Sequence, residues 1–526
     1  MTAVSEGSRI GDGSRLQQIL VTLMLLIVAA LMLRNLGFLL AFVSNALSYP
    51  YSFDYGEGIV WQQMRDMLRG TAYGPIGVYP AIVYHYPPVF HLTTAATAAL
   101  TGADELTAGR AVEVASTLVT AVLAAMLTMQ AIGRETPVRI WGGCGVFAAL
   151  FFLNCGPVLA WAPLMRVDML AGALGLLGMV FAVRAIDRPG WIYAAAVAFV
   201  LSLYTKQIGI AAPLAAFAVL WLANRRTALR GLIASTALGL IVLGALAWMT
   251  DGGFVRHVFL YNVNRIDLAR IVDLAELIGE HLPLVLLAAA GAFAGWRQLR
   301  QAAGHTVNLT SLGAGLKVDR AALTVAMLLA FLAIKTLMLP TILKSGSNQN
   351  YLIEWLSAVA IFAGIAMRPA IALTLGNSLA RADRAALVVG LIGLIVVVPQ
   401  VAAVRVWGMS KQEVAERAST LAPIVQRIAS ASKPVISDDM TLLIRAGRNV
   451  AFEPAIAAEL AHTGTYDEAG FVRMIRAGDF AFFLTEGRAG AVPFDERYNA
   501  PVAAAIRDVY PRQEEIGRFV LHLPQR

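Results

Sequence analysis

The chain has 526 residues, of which 58% are hydrophobic and only 14% charged, where soluble globular chains carry roughly 25% charged residues. With a mean hydropathy of +0.66, this composition excludes a soluble enzyme and points to an integral membrane protein. Residues 1–405 hold 28 basic and 19 acidic groups and residues 406–526 hold 14 and 15, so the basic excess lies in the apolar part, where it orients helices, and no nucleic-acid partner is expected.

In chain order, eleven apolar stretches long enough for a hydrocarbon core of about 30 Å fall near 18–42, 107–132, 138–156, 165–183, 190–204, 207–223, 231–249, 281–296, 321–340, 351–367 and 385–404. The first is read as an anchor, because its apolar run exceeds the roughly 7–15 residues of a secretory signal and no clear A-x-A site follows. The fifth and sixth are short and nearly continuous, and could be one long helix. Cys144 and Cys155 sit around one apolar segment, too far apart along a helix to bridge, so neither a disulfide framework nor a zinc site is expected.

A cytoplasmic N-terminus would put Arg9, Arg15, Arg134, Arg139, Arg184, Arg188, Arg225, Arg226, Arg230, Arg297, Arg300, Lys317, Arg320, Arg368, Arg381 and Arg384 in cytoplasmic segments, as the positive-inside bias requires. An odd number of spans then places the first large loop, 43–106, and everything after Arg405 outside. The expected fold is a polytopic α-helical membrane domain over 1–405, with an extracytoplasmic α/β domain over 406–526.

The first outer loop carries YSFDYGEG, with Asp54 and Glu57, followed by Ile59, Trp61, Met64, Met67 and Leu68 at helical spacing. This pattern suits an amphipathic helix lying in the membrane interface. Carboxylates at a helix N-terminus gain about 0.3–1 kcal/mol from the dipole, so capping accounts for Glu57 as well as chemistry does. Asp54, preceded by aromatics at a membrane boundary, is favoured for a site. The later segment YHYPPVFH holds Tyr84, His85 and Tyr86 ahead of two prolines that enforce an extended turn. These aromatics suit either an interface belt or a substrate surface. His85 and His91 are six apart, not the i,i+4 spacing of a helical metal pair.

Charges also recur at outer helix ends: Arg166 and Asp168; Lys206 and Gln207; Arg256, His257, Asn262, Asn264 and Arg265; Lys344 and Asn350. Each cation taken singly is explained by pairing or snorkelling. Recurrence on four loops, on the side that the charge rule depletes, suggests a shared anion such as the phosphate of a lipid carrier. Within spans, Lys335 and Glu354 would each cost about 2.5–3.5 kcal/mol at mid-bilayer and are expected to face the interior, towards each other.

After Arg405 the pattern changes. A strand-like run at 433–437, a helical stretch through Leu442 to Gly447, a helix over 471–477, an apolar run at 480–484, a helix over 501–509 and an alternating strand at 517–523 argue for a small α/β domain. It contains neither a Walker A loop nor a G-x-G-x-x-G cradle. The spacer 301–316 reads as a flexible cytoplasmic loop.

The many-span domain, the FDYGEG and YHYPPVFH elements of the first loop, MRVDML (165–170), YTKQ (204–207), NQNYLIE (348–354) and the outer C-terminal region together resemble the GT-C glycosyltransferases. Among these the chain is most similar to the family 39-like enzymes, which include protein mannosyltransferases and aminoarabinose transferases. The family commonly has adjacent Asp-Glu in the first loop, whereas here the two acids are three apart. The resemblance implies transfer of a sugar from a polyprenyl-phosphate donor to a hydroxyl of a glycan, lipid or protein acceptor at the outer face. Asp54 or Glu57 would then be the base and Arg166, Lys206, Arg256, Arg265 and Lys344 would steady the leaving phosphate. Tyr84, His85, Tyr86, Asp168 and Asn350 would position substrate. A divalent cation held by the two first-loop carboxylates stays open, as do a flippase or transporter and a ligase or polymerase of lipid-linked saccharides. The transporter lacks support from paired halves with matching broken helices.

Overall fold

The computed structural model describes residues 12–262, 264–304, 308–404 and 410–525. Arg9, the domain boundary after Arg405 and residues 305–307 of the spacer lie outside the described residues. Each of the eleven apolar stretches coincides with a helix. Among the described residues, seven helices are long and apolar enough to cross a membrane: Arg15–Ser48, Glu105–Ile132, Arg225–Met249, Leu282–Ala303, Arg320–Leu343, Gln349–Thr374 and Asp383–Ala403. The remaining stretches form the shorter helices Val138–Leu153, Asp168–Arg184, Trp191–Leu203 and Ala211–Ala223. The fifth and sixth stretches are two helices, parted by a turn that carries Lys206.

The core is built around Ile353–Ala366, a helix buried over nearly its whole circumference, as its continuous apolar sequence dictates. The helix Leu282–Ala303 approaches it so closely that a Cβ at Gly291 would lie 1.9 Å from the carbonyl oxygen of Phe362. Lys335 and Glu354 do face each other, 2.7 Å apart, and Lys335 also donates to the carbonyl of Ile208. Removing one partner would leave a bare buried charge, so this pair locks the register of two central helices.

Beyond residue 410 the chain forms a helix, Lys411–Ala429, and a four-stranded sheet of β1 (Val435–Ser437), β2 (Phe482–Glu486), β3 (Arg512–Ile516) and β4 (Phe519–Leu523) in the order β1-β2-β4-β3. β1 and β2 are parallel and the other pairs antiparallel. Helices Met440–Arg445, Pro454–His462, Glu468–Ala477 and Ala500–Val509 complete it. β3 escapes sequence reading because RQEEI is a charged edge strand, whose pairing groups are protected by charge and not by apolar alternation.

The first loop forms the expected helix, Tyr55–Arg69, but its apolar face does not lie in the membrane interface. Ile59, Val60, Trp61 and Met64 pack against Met440, Leu442, Leu443 and Ile444 of the C-terminal region. Gln62 and Gln63 are buried as well: Gln62 accepts from the Val450 N–H at 3.0 Å, and Gln63 donates to the Val83 carbonyl at 2.7 Å. The amphipathic pattern was therefore a protein contact, because a face with two amides needs hydrogen-bond partners that lipid tails cannot supply. The approach is close enough that a Cβ at Gly58 would lie 2.7 Å from both Met440 Cβ and the Thr441 nitrogen. Gly58→Val should wedge the contact open at a cost of about 1–3 kcal/mol, measured as faster limited proteolysis after residue 410 with the membrane helices intact.

Candidate active site

Two carboxylates leave the first turn of Tyr55–Arg69 in opposite directions. Glu57 is fully buried and takes Arg110 side-on, with Nε to Oε1 and Nη2 to Oε2 both at 2.8 Å. The Phe53 and Met165 backbone N–H groups donate to the same two oxygens, each at 2.8 Å. Arg110 spends its remaining N–H groups on the carbonyls of Ala46, Tyr49 and Tyr51. This planar five-donor group satisfies a turn that would otherwise bury bare carbonyls. With both oxygens committed, Glu57 has no free lone pair directed at substrate or at a cation shared with Asp54.

Asp54 is the N-cap of that helix, accepting from the Gly56 N–H at 2.8 Å, and so capping and site are not alternatives here. Its Oδ2 also meets Arg166 Nη1 at 2.8 Å, and its side chain keeps 22% exposure against none for Glu57. A Cβ at position 56 would sit 1.3 Å from Arg166 Nη1, so a larger residue there would displace the guanidinium from its place beside Asp54. Arg166 Nε is buried without a hydrogen-bond partner among the described residues.

Asp168, two residues on, is buried and pairs with Lys206, and Asn350 Nδ2 donates to the same Oδ1 at 2.9 Å. Its Oδ2 is buried and unpartnered among the described residues. Beneath it, Glu113 accepts the Met169 and Leu170 N–H groups at 2.9 and 3.0 Å, so its carboxyl caps the free N–H groups at the start of the helix that carries Asp168. Lys206 lies over the Tyr351 ring at 4.8 Å. The turn bearing Lys206 also holds the proline loop, since Gln207 Nε2 donates to the His85 carbonyl and the Tyr204 carbonyl accepts from the Val89 N–H. That anchorage brings Tyr86 within electrostatic reach of Arg166, Lys206 and Asp168, and burial raises its phenol above the usual range. His85 faces Arg166 and His257, and burial, aided by those two groups, lowers its imidazole to about 4.

Asp54, His85, Tyr86, Arg166, Asp168, Lys206 and Asn350 thus converge. The other residues proposed from sequence do not join them. Tyr84 turns away, donating its hydroxyl to Asp66 at 3.0 Å, while its N–H bonds His257 Nδ1. Arg256 is exposed and donates to the Asp251 carbonyl. Arg265 pairs with Glu459 of the C-terminal region at 3.0 Å. Lys344 lies in the strand-like bridge opposite Ile266, with which Arg265 is contiguous. A short loop with an exposed cation reads the same whether that cation faces a site or another part of the chain, so spacing could not sort them. Arg110 and Glu113, absent from the sequence reading, did carry a signal: ionisable residues inside an apolar span are rarely idle.

Removing one partner of the Glu57–Arg110 pair, as in Arg110→Met, should cost about 3–5 kcal/mol, seen as a lowered unfolding midpoint in detergent. His85, His257 and His522 all have imidazoles lowered to about 4, burial being the first cause. The unfolded chain binds more protons between those values and the ordinary 6.5, so stability should fall as pH drops from about 6.5 towards 4. His257→Gln, which keeps an acceptor for Tyr84 and a donor for the Gly74 carbonyl without titrating, should flatten that slope in pH-resolved melting curves.

No known family profile matches the sequence, and no curated protein matches it. Solved structures do. ArnT from Cupriavidus metallidurans bound to undecaprenyl phosphate is 17% identical, with 95% of this chain and 97% of that chain covered and a TM-score of 0.50. The archaeal oligosaccharyltransferase AglB from Archaeoglobus fulgidus, in complex with an inhibitory peptide and a dolichol-phosphate, is 10% identical, covering 85% of this chain and 69% of that chain, also with a TM-score of 0.50. Over nearly its full length, this chain shares its fold with these two solved structures.

Proposed function

We propose that the protein is a membrane glycosyltransferase that moves a sugar from a polyprenyl-phosphate donor to an acceptor hydroxyl at the outer face of a bacterial inner membrane. The observation that carries this reading is the contact of Asp54 with Arg166, whose second donor, Nε, is buried and free. One guanidinium can thereby hold the base and grip a phosphate oxygen of the donor, setting nucleophile and leaving group on one rigid group. Lys206 adds positive charge beside it, and the free Oδ2 of Asp168 is placed to accept a sugar hydroxyl. The ligands of the two solved structures, undecaprenyl phosphate and a dolichol-phosphate, are consistent with a polyprenyl-phosphate donor here.

In the proposed step the acceptor oxygen attacks the anomeric carbon as its proton passes to Asp54. The bond from that carbon to the phosphate oxygen breaks on the opposite face, so the configuration inverts. Both electrons of that bond leave with the phosphate, whose charge Arg166 and Lys206 stabilise. Placement outside the cytoplasm rests on the basic residues of the inner loops, and the contact of residues 410–525 with the first loop is in keeping with one shared side for both. A flippase would have no use for the base.

With labelled polyprenyl-phosphate sugar and purified protein, lipid phosphate and a glycoside should appear together. Asp54→Asn should reduce turnover by a factor on the order of 10²–10⁴ while leaving donor affinity largely unchanged. Lys206→Ala should weaken donor binding whereas Arg256→Ala should not. Lipid movement without glycosidic cleavage would refute the reading.

A further inference from the structure

The segment before Pro454–His462 is threaded into the first loop by its backbone. The Val450 N–H donates to Gln62, the Ala451 carbonyl accepts from Ala81 at 2.9 Å, Phe452 bridges Ala81, and the Ala455 N–H meets the Tyr55 hydroxyl at 3.4 Å. Glu453, in the middle of this segment, is therefore held from both sides and is only 7% exposed. It occupies the N-cap position of its helix, yet its side chain does not cap. Instead Oε2 is buried with no hydrogen-bond partner among the described residues, and Arg166 acts on the carboxyl electrostatically. A buried carboxyl oxygen without a partner costs free energy that folding alone does not explain. It marks a place for something that binds.

We propose that Glu453 is a substrate-binding residue supplied by the C-terminal region, a carboxylic acid that donates its hydrogen to an oxygen of the phosphate gripped by Arg166. This rests on the reading that Arg166 binds the donor's phosphate. Burial pushes the Glu453 carboxyl up to about 8 against the pull of Arg166, so it carries its proton at neutral pH. A protonated carboxyl is a donor and needs an acceptor, and the cation beside it selects an anionic one. An ammonium group would be repelled by Arg166 and would find no charge on Glu453. Among the described groups around Arg166, Asp54 pairs with it, His85 and Tyr86 lie within its electrostatic reach, and Tyr55 lies under Arg497, which pairs with Asp438 at 2.9 Å. The first loop supplies the base and the C-terminal region an acid, and the phosphate would lie where they meet. Above about pH 8 Glu453 ionises, losing the donor and setting a negative charge against the phosphate.

The test is the dissociation constant of undecaprenyl phosphate for the full chain in detergent between pH 6.5 and 9, in wild type, Glu453→Gln and Glu453→Ala. Glu453→Gln keeps shape and a donor but cannot titrate. It should bind as wild type does at pH 6.5, while wild type should weaken by about tenfold more than Glu453→Gln on going to pH 9. Glu453→Ala should bind more weakly already at pH 6.5. Coincident pH profiles for wild type and Glu453→Gln, or binding by wild type that tightens as pH rises, would overturn the assignment of Glu453 and leave the phosphate site standing. Failure of wild type to bind the lipid at any pH would refute the phosphate reading and this proposal with it. Should Glu453→Ala not fold, the comparison of wild type with Glu453→Gln still decides.

Discussion

The site depends on one buried ion pair. Arg110, near the start of Glu105–Ile132, reaches across to Glu57 and collects the carbonyls of Ala46, Tyr49 and Tyr51, where the first helix has just ended. A chain leaving a helix at a membrane boundary has free carbonyls and little water to satisfy them. A guanidinium with five donors, neutralised by one carboxylate, meets that need in a single residue. The outcome is a rigid turn that ends at Asp54 and presents it towards Arg166.

From that turn outward the charges form a graded series. Glu57 is saturated and invisible to solvent. Asp54 and Arg166 are paired but incompletely, one partly exposed and the other with an idle Nε. Asp168 keeps one oxygen free while Lys206 and Asn350 share the other. Full satisfaction contributes rigidity, and the groups left partly satisfied are those that can bind something else. Under the proposed function this grading separates scaffold from chemistry more sharply than residue type does, since Glu57 and Asp54 are both acids of one helical turn.

The C-terminal region is bound into this arrangement and does not hang from it. The Thr441 hydroxyl accepts the Ser52 N–H, Arg445 takes the Pro50 carbonyl and Asp104, and Glu459 holds Arg265 and Ser345. Residues from three loops of the membrane part therefore meet the C-terminal region. This contact explains why a helix with an apolar face and two amides lies next to the membrane without lying in it.

Much of the fold was legible in one dimension. Apolar runs of membrane length mark helices because lipid leaves backbone groups no other partners, and the run 517–523 marks a strand, although all five residues of β4 are buried and its two faces are not distinguished by burial. That Asp54, Arg166, Asp168 and Lys206 would gather was legible too, since ionisable groups near membrane boundaries are costly unless they find partners. What tertiary structure alone decided was pairing. Whether a cation such as Arg265 serves an anion or an acid 194 residues away, whether Glu57 or Asp54 keeps a free lone pair, and whether Glu453 is buried at all depend on contacts between distant segments. Local sequence carries no term for such contacts, because the energy of a charge is set by what surrounds it in space and not by its neighbours along the chain.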